Sequence, residues 1–254
     1  MSFVVCVVSV APLRSEAGHR SEMVSELLLG EFATVLEEQK DFLKIKCLYD
    51  GYEGWCQRSQ LAGVENTVVA STYVLSSVAT GTINNRVCTM SCATPVLSKG
   101  KEYTAGPVRI SFPSAEHLAD TTTLEFSEAN IKKIAFHFIN TPYLWGGKSA
   151  FGIDCSGFAQ QVFKMMNIVL PRDAYQQAAL GESVGFLEEV QCGDLAFFDN
   201  AEGRITHVGI LLNASEIIHS SGSVRVDKID HAGIIHTETG ERTHNLRIIK
   251  RYKQ

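Results

Sequence analysis

Nucleophilic chemistry by a thiol is the reaction type for which this sequence offers the best candidate, Cys155. This cysteine follows the glycines of residues 141–158, which read TPYLWGGKSAFGIDCSGF. The residues after it recur at helical spacing and form one apolar face: Phe158, Ala159, Val162, Phe163 and Met166. A helix that begins at Cys155 would favour the thiolate and lower the pKa of the thiol, because the positive end of the helix dipole lies there. Its backbone N–H groups would point at the atom that the sulfur attacks. The alternative is a buried structural thiol.

A thiol nucleophile needs a base and a group that orients the base. Residues 205–212, ITHVGILL, have the β-branched and aliphatic content of a strand, with His207 and Gly209 on one face. Gly209 leaves room beside His207 for a neighbouring helix end to approach. A second short strand, SEIIHSSG, carries His219. A lone histidine is usually a satisfied or exposed residue, but two strand histidines after a cysteine at a helix start form a much rarer set.

Five motifs in order resemble the NlpC/P60 family of cell-wall cysteine peptidases: PYLWGG, DCSGF, GDLAFF, HVGILL and IIHSSG. The resemblance covers roughly residues 126–254 and implies a papain-like α+β fold, in which the nucleophile helix packs on an antiparallel sheet that carries the histidines. It implies Cys155 as nucleophile, His207 as base, His219 as the residue that orients the base, and Tyr143 as a residue lining the oxyanion position. Asp154 and Ser156 flank the thiol and are predicted to contact substrate.

Residues 170–177, LPRDAYQQ, resemble a P-R-D-S motif of the γ-D-glutamyl-diamino acid peptidases of that family. The Asp and Ser of that motif contact substrate, so the resemblance makes Asp173 a substrate-binding residue. Ala174 replaces the Ser and removes one expected hydrogen bond. Asp173 also suits the cap of a helix that begins near Tyr175, and the two roles are compatible.

The N-terminal region predicts a small β-barrel, with turn signals between strand candidates at Val4–Val10, Ala33–Glu37, Phe42–Cys47 and Gly54–Gln57. The motifs APLRSE, LLLGE and DGYEGW make residues 1–62 similar to a bacterial SH3 domain. Less distinct strands predict a second SH3-like β domain at 63–122. A helix that follows Ser127 then opens a catalytic domain at 123–254.

In the intracellular peptidases that this chain resembles, an acidic and an aromatic residue of the SH3 domain close one end of the catalytic cleft. Glu22, Tyr52 and Trp55 are the matching substrate-binding candidates here. With Asp173, an acidic residue there would hold the free α-amino group of a substrate. The alternative is that Glu22 is merely solvated and that both aromatic side chains fill the barrel.

Composition and net charge limit the classes of partner that this chain is expected to bind. The chain has 254 residues, is 45% hydrophobic and 20% charged, and has a net charge of −5, so neither nucleic acid nor an anionic membrane is an expected partner. Its N-terminal apolar run lacks the basic start of a secretory signal and the ~20 apolar residues of a membrane span, which predicts a cytoplasmic protein. Seven cysteines, an odd number, predict thiols rather than a disulfide framework. We expect a monomer without cofactor or metal.

Together these features predict a cysteine peptidase that hydrolyses the γ-D-glutamyl–diamino acid bond of murein peptides with a free N-terminal L-Ala, in the recycling of cell-wall peptides. A thiol acyltransferase on the same fold and an endopeptidase acting on intact peptidoglycan remain alternatives. A zinc site of Cys155, His207 and His219 is another, although no dense ligand spacing such as H-E-x-x-H supports it. A non-catalytic wall-binding module is the last alternative, and the intact cysteine–histidine set disfavours it.

Overall fold

The computed structural model describes residues 2–98 and 102–252. They form two compact units, one within Met1–Leu124 and Trp145–Phe151, the other within Glu125–Leu144 and Gly152–Gln254. Part of the glycine-rich segment therefore belongs to the first unit, although the sequence grouped it with residues 123–254.

The first unit is built from short antiparallel strands, since β-branched and aliphatic residues alternate between turns. Its strands are β1 Phe3–Cys6, β2 Val10–Arg14, β3 Met23–Leu28, β4 Phe32–Gln39, β5 Phe42–Cys47, β6 Glu53–Gln57, β7 Leu61–Val64, β8 Thr72–Val74, β9 Val78–Ile83, β10 Arg86–Ser91, β11 Tyr103–Ala105, β12 Val108–Ser111, β13 Leu118–Asp120 and β14 Lys148–Ser149. The predicted strand Phe42–Cys47 has the predicted bounds. The predicted Val4–Val10 strand is instead two strands, β1 and β2, separated by a bend.

The strand order β3-β2-β6-β5-β4-β1-β7 makes the SH3-like barrel of the first unit, and β10-β9-β12-β11 makes a second sheet. Apolar side chains such as Leu13, Leu27 and Ile45 fill the barrel. A second cluster joins Phe32 of the barrel to Leu97, beyond it in the chain. The predicted boundary at residue 62 falls inside β7, and an SH3-like fold for 63–122 stays a prediction.

The second unit contains three helices and a mostly antiparallel sheet. Its helices are α1 Glu128–Phe136, α2 Cys155–Met165 and α3 Ala174–Ala178, and its strands are β15 Gly152–Ile153, β16 Glu182–Val184, β17 Leu195–Asp199, β18 Ile205–Asn213, β19 Glu216–Ser221, β20 Ser223–Asp230, β21 Gly233–Ile235 and β22 Arg242–Arg251. The large sheet has the order β16-β22-β17-β18-β19-β20-β21, and β21 also pairs with β22. That extra pairing closes the sheet on itself.

Both longer helices begin where their capping residues predict. The Ser127 hydroxyl accepts a hydrogen bond from the Asn130 N–H at 3.4 Å before α1, and the Asp154 carboxylate accepts one from the Gly157 N–H at 2.7 Å before α2. A side chain that satisfies a free N–H of the first turn stabilises a helix start by about 1 kcal/mol. Cys155 is therefore the first residue of α2, as the sequence predicts.

Helix α2 is held by aromatic packing. Phe158 lies edge-on to Phe138 with ring centroids 5.9 Å apart, and Phe163 contacts Tyr252 in the same way at 5.5 Å. Burying a side chain of this size contributes about 1.5–3 kcal/mol. These contacts hold α2, whose first residue is Cys155, in the core near both of its ends.

Two chain-wide features complete the description. The seven cysteines, all of them in the described part, are free thiols, as expected. Within residues 2–98 and 102–252, no helix is long and apolar enough to cross a membrane.

Candidate active site

Cys155 lies beside the strand that carries His207. Its Sγ is 4.0 Å from the carbonyl oxygen of Thr206 on β18, and the backbone of Val208 on the same strand also contacts the sulfur. Since these two residues flank His207, the thiol and the imidazole belong to one site. The thiol is 7% exposed.

A chain of hydrogen bonds runs from His207 into the protein. His207 Nε2 is 2.8 Å from His219 Nδ1, and His219 Nε2 is 3.0 Å from an oxygen of Asp227 on β20. A carboxylate only accepts, so His219 Nε2 carries a hydrogen and, in a neutral ring, Nδ1 accepts. His207 Nε2 must then donate, which leaves the lone pair of His207 Nδ1 to take a proton.

Asp227 is a site residue that sequence reasoning missed. Burial raises the pKa of its carboxyl, but hydrogen bonds from His219, the Thr237 N–H and Arg225 outweigh burial and hold the pKa well below its usual range. The carboxylate thus stays charged and fixes the ring of His219. The alternating residues VRVDKID directly after Gly222 were an available signal, because they predict a hairpin partner for the strand of His219.

The thiol and the imidazole are both uncharged at rest. Burial, followed by the negative charge of Asp154, raises the pKa of the Cys155 thiol to about 12. Burial also lowers the pKa of His207 well below its usual value, and His219, His244 and Arg225 add to that effect. The prediction of a lowered thiol pKa is therefore wrong, because burial destabilises the thiolate by more than the N-terminus of the helix stabilises it. His207 is placed to act as a general base rather than as half of an ion pair.

The side chains of Asp154, Ser156 and Arg172 bind one another at the start of helix α2. Arg172 binds both carboxylate oxygens of Asp154, at 3.0 and 2.6 Å, and donates to the Ser156 hydroxyl at 2.9 Å. All three side chains are buried. Their role in substrate binding stays a prediction, whereas their role in holding the first turn of α2 follows from these contacts.

Tyr143 approaches the start of α2 through its backbone, since it pairs with Ile153 in a parallel bridge. Burial raises the pKa of its phenol, and negative charge at Asp154, or at Cys155 once it forms a thiolate, raises it further. The phenol therefore stays protonated beside the sulfur. A protonated phenol is the form that donates a hydrogen bond to an oxyanion, as its predicted place in the site requires.

Gly209 leaves room for a different neighbour from the one that the sequence predicts. A Cβ atom there would lie 2.6 Å from the Ile217 side chain and 2.9 Å from the His219 Cβ. The space is taken by the adjacent strand β19 and not by a helix end, because Gly209 and His219 are direct partners in the ladder. The glycine lets the two histidine strands pack closely.

Asp173 occupies the N-cap position of α3, but its side chain makes no capping hydrogen bond. The helix begins at Ala174, one residue before the predicted start. The Asp173 carboxylate therefore does not cap α3, although its position suggests that it would. Its contact with substrate stays a prediction.

The first-unit candidates have protein contacts of their own. The Glu22 carboxylate accepts a hydrogen bond from the Trp145 indole at 2.8 Å. Tyr52 packs against the barrel core, and Trp55 is 9% exposed in β6. The contacts of both aromatic residues agree with the alternative in which they fill the barrel, whereas Glu22 is engaged rather than merely solvated. Contacts of these three residues with substrate stay a prediction.

The segment Trp145–Phe151 is bound tightly within the first unit. The Lys148 N–H donates to the Glu26 carboxylate at 2.7 Å, and its buried ammonium lies 3.6 Å from Glu31. A Cβ atom on Gly146, whose φ is +79°, would lie 2.7 Å from the Met23 carbonyl oxygen. Only glycine fits there.

His244 is the second residue that sequence reasoning missed. It lies on β22, and its ring stacks on that of His207 with centroids 4.1 Å apart. Among the described residues, no group of three or more His, Cys, Asp or Glu is arranged to hold a metal ion.

The nucleophile helix α2 lies against β18 and β19 of an antiparallel sheet that carries both histidines, which is the papain-like α+β arrangement expected from the sequence. The model of the NlpC/P60 family matches residues 140–243, and the model of the bacterial dipeptidyl-peptidase Sh3 domain matches residues 13–61. The chain belongs to the NlpC/P60 family.

Relatives agree with this assignment. The probable endopeptidase NlpC of Escherichia coli is 34% identical over 113 residues, which are 44% of this chain and 71% of that protein. The γ-D-glutamyl-L-lysine dipeptidyl-peptidase of Bacillus subtilis is 46% identical over 85 residues, 33% of this chain, and the chain spans 28% of that relative's length. The crystal structure of an NlpC/P60 family protein from Bacillus cereus has the same fold, with a TM-score of 0.80, 22% identity and 99% of each chain covered.

Proposed function

We propose that this protein is a cysteine peptidase that hydrolyses the γ-D-glutamyl–diamino acid bond of murein peptides whose N-terminal L-alanine is free. The observation that carries the proposal is the buried chain from His207 through His219 to Asp227, beside a thiol at a helix start. This chain selects the tautomer in which His207 Nδ1 can take a proton. A purely structural thiol has no need of such a neighbour.

In the proposed reaction, His207 removes the proton from Cys155 as the sulfur attacks the γ-carbonyl carbon. The backbone N–H of Cys155 and the phenol of Tyr143 donate to the oxyanion, each worth about 3–4 kcal/mol in comparable sites. The C–N bond then breaks as the His207 imidazolium protonates the leaving amine. Water, activated by the same imidazole, hydrolyses the thioester and frees Cys155.

The substrate class rests on the sequence match. The Bacillus subtilis relative is named for the γ-D-glutamyl-L-lysine bond and for release of a dipeptide. A dipeptidyl-peptidase must recognise a free N-terminus, and the proposed partner of that ammonium is Asp173, with Glu22, Tyr52 and Trp55 as further candidates. A carboxylate that meets an amide instead of an ammonium loses its charged partner, which penalises substrates still linked to sugar.

The test is digestion of defined peptides with product identification by mass spectrometry. L-Ala-γ-D-Glu-diaminopimelate should yield L-Ala-D-Glu and the free diamino acid. Acetylation of the N-terminus should lower kcat/KM by about a hundredfold, equivalent to about 2.7 kcal/mol. Asp173→Asn should shrink this difference, whereas Glu202→Gln, a change at an exposed carboxylate between β17 and β18, should leave it unchanged.

Other outcomes would select the alternatives. Equal rates on both peptides would favour an endopeptidase of intact peptidoglycan. An acylated product that appears only with an added amine would favour an acyltransferase. The cytoplasmic location, the recycling role and the monomeric state are parts of the same proposal, and cell fractionation and sedimentation test the location and the oligomeric state.

A further inference from the structure

The two aromatic rings of His207 and His244 form a face-to-face pair at the candidate base. Their centroids are 4.1 Å apart and their planes differ by 25°, whereas His219 meets both rings nearly at right angles. His219 therefore forms a hydrogen bond with the edge of the His207 ring, and His244 stacks on one face of that ring. The base is held in two independent directions.

The closed sheet explains why a residue so late in the chain reaches the site. His244 pairs with Ile234 of β21, and two residues further along β22 Leu246 pairs with Phe198 of β17. Phe198 is in turn the ladder partner of His207. The register of three strands thus fixes the His244 ring over the His207 ring.

We propose that His244 is a positioning residue for the base: its uncharged ring stacks on His207, fixes the plane in which His207 serves Cys155, and leaves His207 free to take up a proton. This inference rests on the proposed function, because the base role of His207 is part of that proposal. Nothing in the known relatives' names bears on it.

The stack is useful only while His244 is neutral. Its Nδ1 lies 2.9 Å from the Thr243 hydroxyl, so this nitrogen has a neutral partner. Burial, then His219 and Arg225, lowers the pKa of His244 to about 4, although Asp227 opposes them. At neutral pH the ring adds no charge to the centre where the imidazolium of His207 must form.

The charged and titratable groups that act on His207 include His219 of β19, Arg225 of β20 and His244 of β22, while β17 contributes the uncharged Phe198. Cys155 of α2 lies against the backbone of the residue before His207. Asp227 of β20 hydrogen-bonds His219, and its charge also acts on His244. A permanent cation at position 244 would meet the His207 imidazolium at close range, and the Asp227 carboxylate would offset that repulsion only in part.

Three substitutions at His244 separate shape from charge. His244→Phe keeps a flat ring and removes the possibility of charge, His244→Asn removes the ring, and His244→Lys adds a permanent charge. His231→Phe is the matched control, because His231 is exposed and pairs only with Glu188 at 3.3 Å.

The expected effects differ in size. His244→Asn should lower kcat about three- to tenfold with KM unchanged, the range that a stacked aromatic pair contributes. His244→Phe should keep kcat near that of the wild type. His244→Lys should lower kcat by about a hundredfold, since a charge about 4 Å from the forming imidazolium opposes it.

The pH profile supplies a readout that a merely structural role would not move. A charge on His244 lowers the pKa of His207, and His244 takes up that charge only as the pH falls toward about 4. His244→Phe cannot be charged at any pH, so it should raise the pKa of His207 in this acid range and shift the acid limb of kcat/KM to higher pH. His244→Lys should shift the limb to lower pH. His231→Phe should leave it in place.

Titration of the His207 ring by NMR in a Cys155→Ala background tests the same shift without turnover. If His244→Phe leaves the His207 titration at the wild-type pH and His244→Asn keeps full kcat, the inference is overturned. If Cys155→Ala stays active, the proposed function fails instead, and the NMR shift still decides whether His244 acts on His207.

Discussion

Two polar clusters lie near Cys155, and they differ in how they carry charge. In the first, Arg172, Asp154 and Ser156 hold a paired charge, with the guanidinium on both carboxylate oxygens. In the second, His207, His219 and His244 are uncharged at neutral pH, because burial lowers the pKa of each ring. His207 and His219 are buried and His244 is partly buried, and of the two clusters only the first contains ions at rest.

The difference follows from what each cluster must do. A buried ion is tolerated when its partner never changes, and the bidentate pair of Arg172 and Asp154 meets that condition while it fixes the start of α2. A base must accept a proton and release it again, so a permanent counter-charge would hold it in one state. Asp227 supplies a negative charge only at the far end of His219, which supports the imidazolium without fixing it.

The strongest test of the comparison is Cys155→Ala. The thiol and His207 act as a unit, so removing the sulfur should lower kcat by about 10⁴-fold or more, while the melting temperature stays close to that of the wild type. Turnover of the diaminopimelate peptide measures the effect. Cys192→Ala, which removes a half-buried thiol, is the control and should stay active. Substantial turnover by Cys155→Ala would remove Cys155 from the mechanism.

Breaking the cluster of Arg172, Asp154 and Ser156 should lower the free energy of unfolding, and not only the activity. Arg172→Met leaves the buried Asp154 carboxylate without its guanidinium, and breaking a buried pair in this way costs about 3–5 kcal/mol of the free energy of unfolding. Urea denaturation measures it. Arg247→Met is the matched control, because Arg247 is exposed and 3.7 Å from Asp199, and a surface pair contributes only about 0–1 kcal/mol. Equal losses in both variants would contradict the distinction.

Within the neutral cluster, effects on kcat should decrease with distance from the thiol. His207→Ala should remove the base outright, His219→Ala should be milder because water can partly replace an orienting group, and Asp227→Asn should cost about tenfold. Steady-state kinetics gives the order. Equal and complete loss in His207→Ala and His219→Ala would instead make His219 a base or a metal ligand, and metal analysis of the purified protein would separate the two.

The sequence predicted the part of the site that lies in contiguous motifs. Cys155 was placed correctly at a helix start because apolar spacing is a local signal, and the strands of His207 and His219 followed from alternation. The N-cap role of Asp154 was not predicted. Asp227 was missed although the alternation of VRVDKID indicated its strand, the hairpin partner of the strand of His219. His244 was missed because its place beside His207 depends on the closing of the sheet by β21 and β22, which no local pattern encodes. The thiol pKa was predicted in the wrong direction because the helix dipole is visible in a sequence and burial is not.

The smallest expected effect is the response of stability to mild acid, to which the neutral cluster contributes together with His137, whose pKa burial also lowers. The pKa of His244 is about 4 when folded, against about 6.5 when unfolded, and those of His207 and His219 are also lowered. The unfolded chain therefore binds more protons, so stability is fully present above pH 6.5 and is lost as the pH falls toward 4. Asp227 titrates below this window and does not offset the loss. The melting temperature should fall by a few degrees between pH 7 and pH 4.5, about 2–4 °C for each kcal/mol lost. His244→Phe should reduce the slope and His231→Phe should not. A melting temperature independent of pH in this range would mean that the cluster is not kept neutral by the fold.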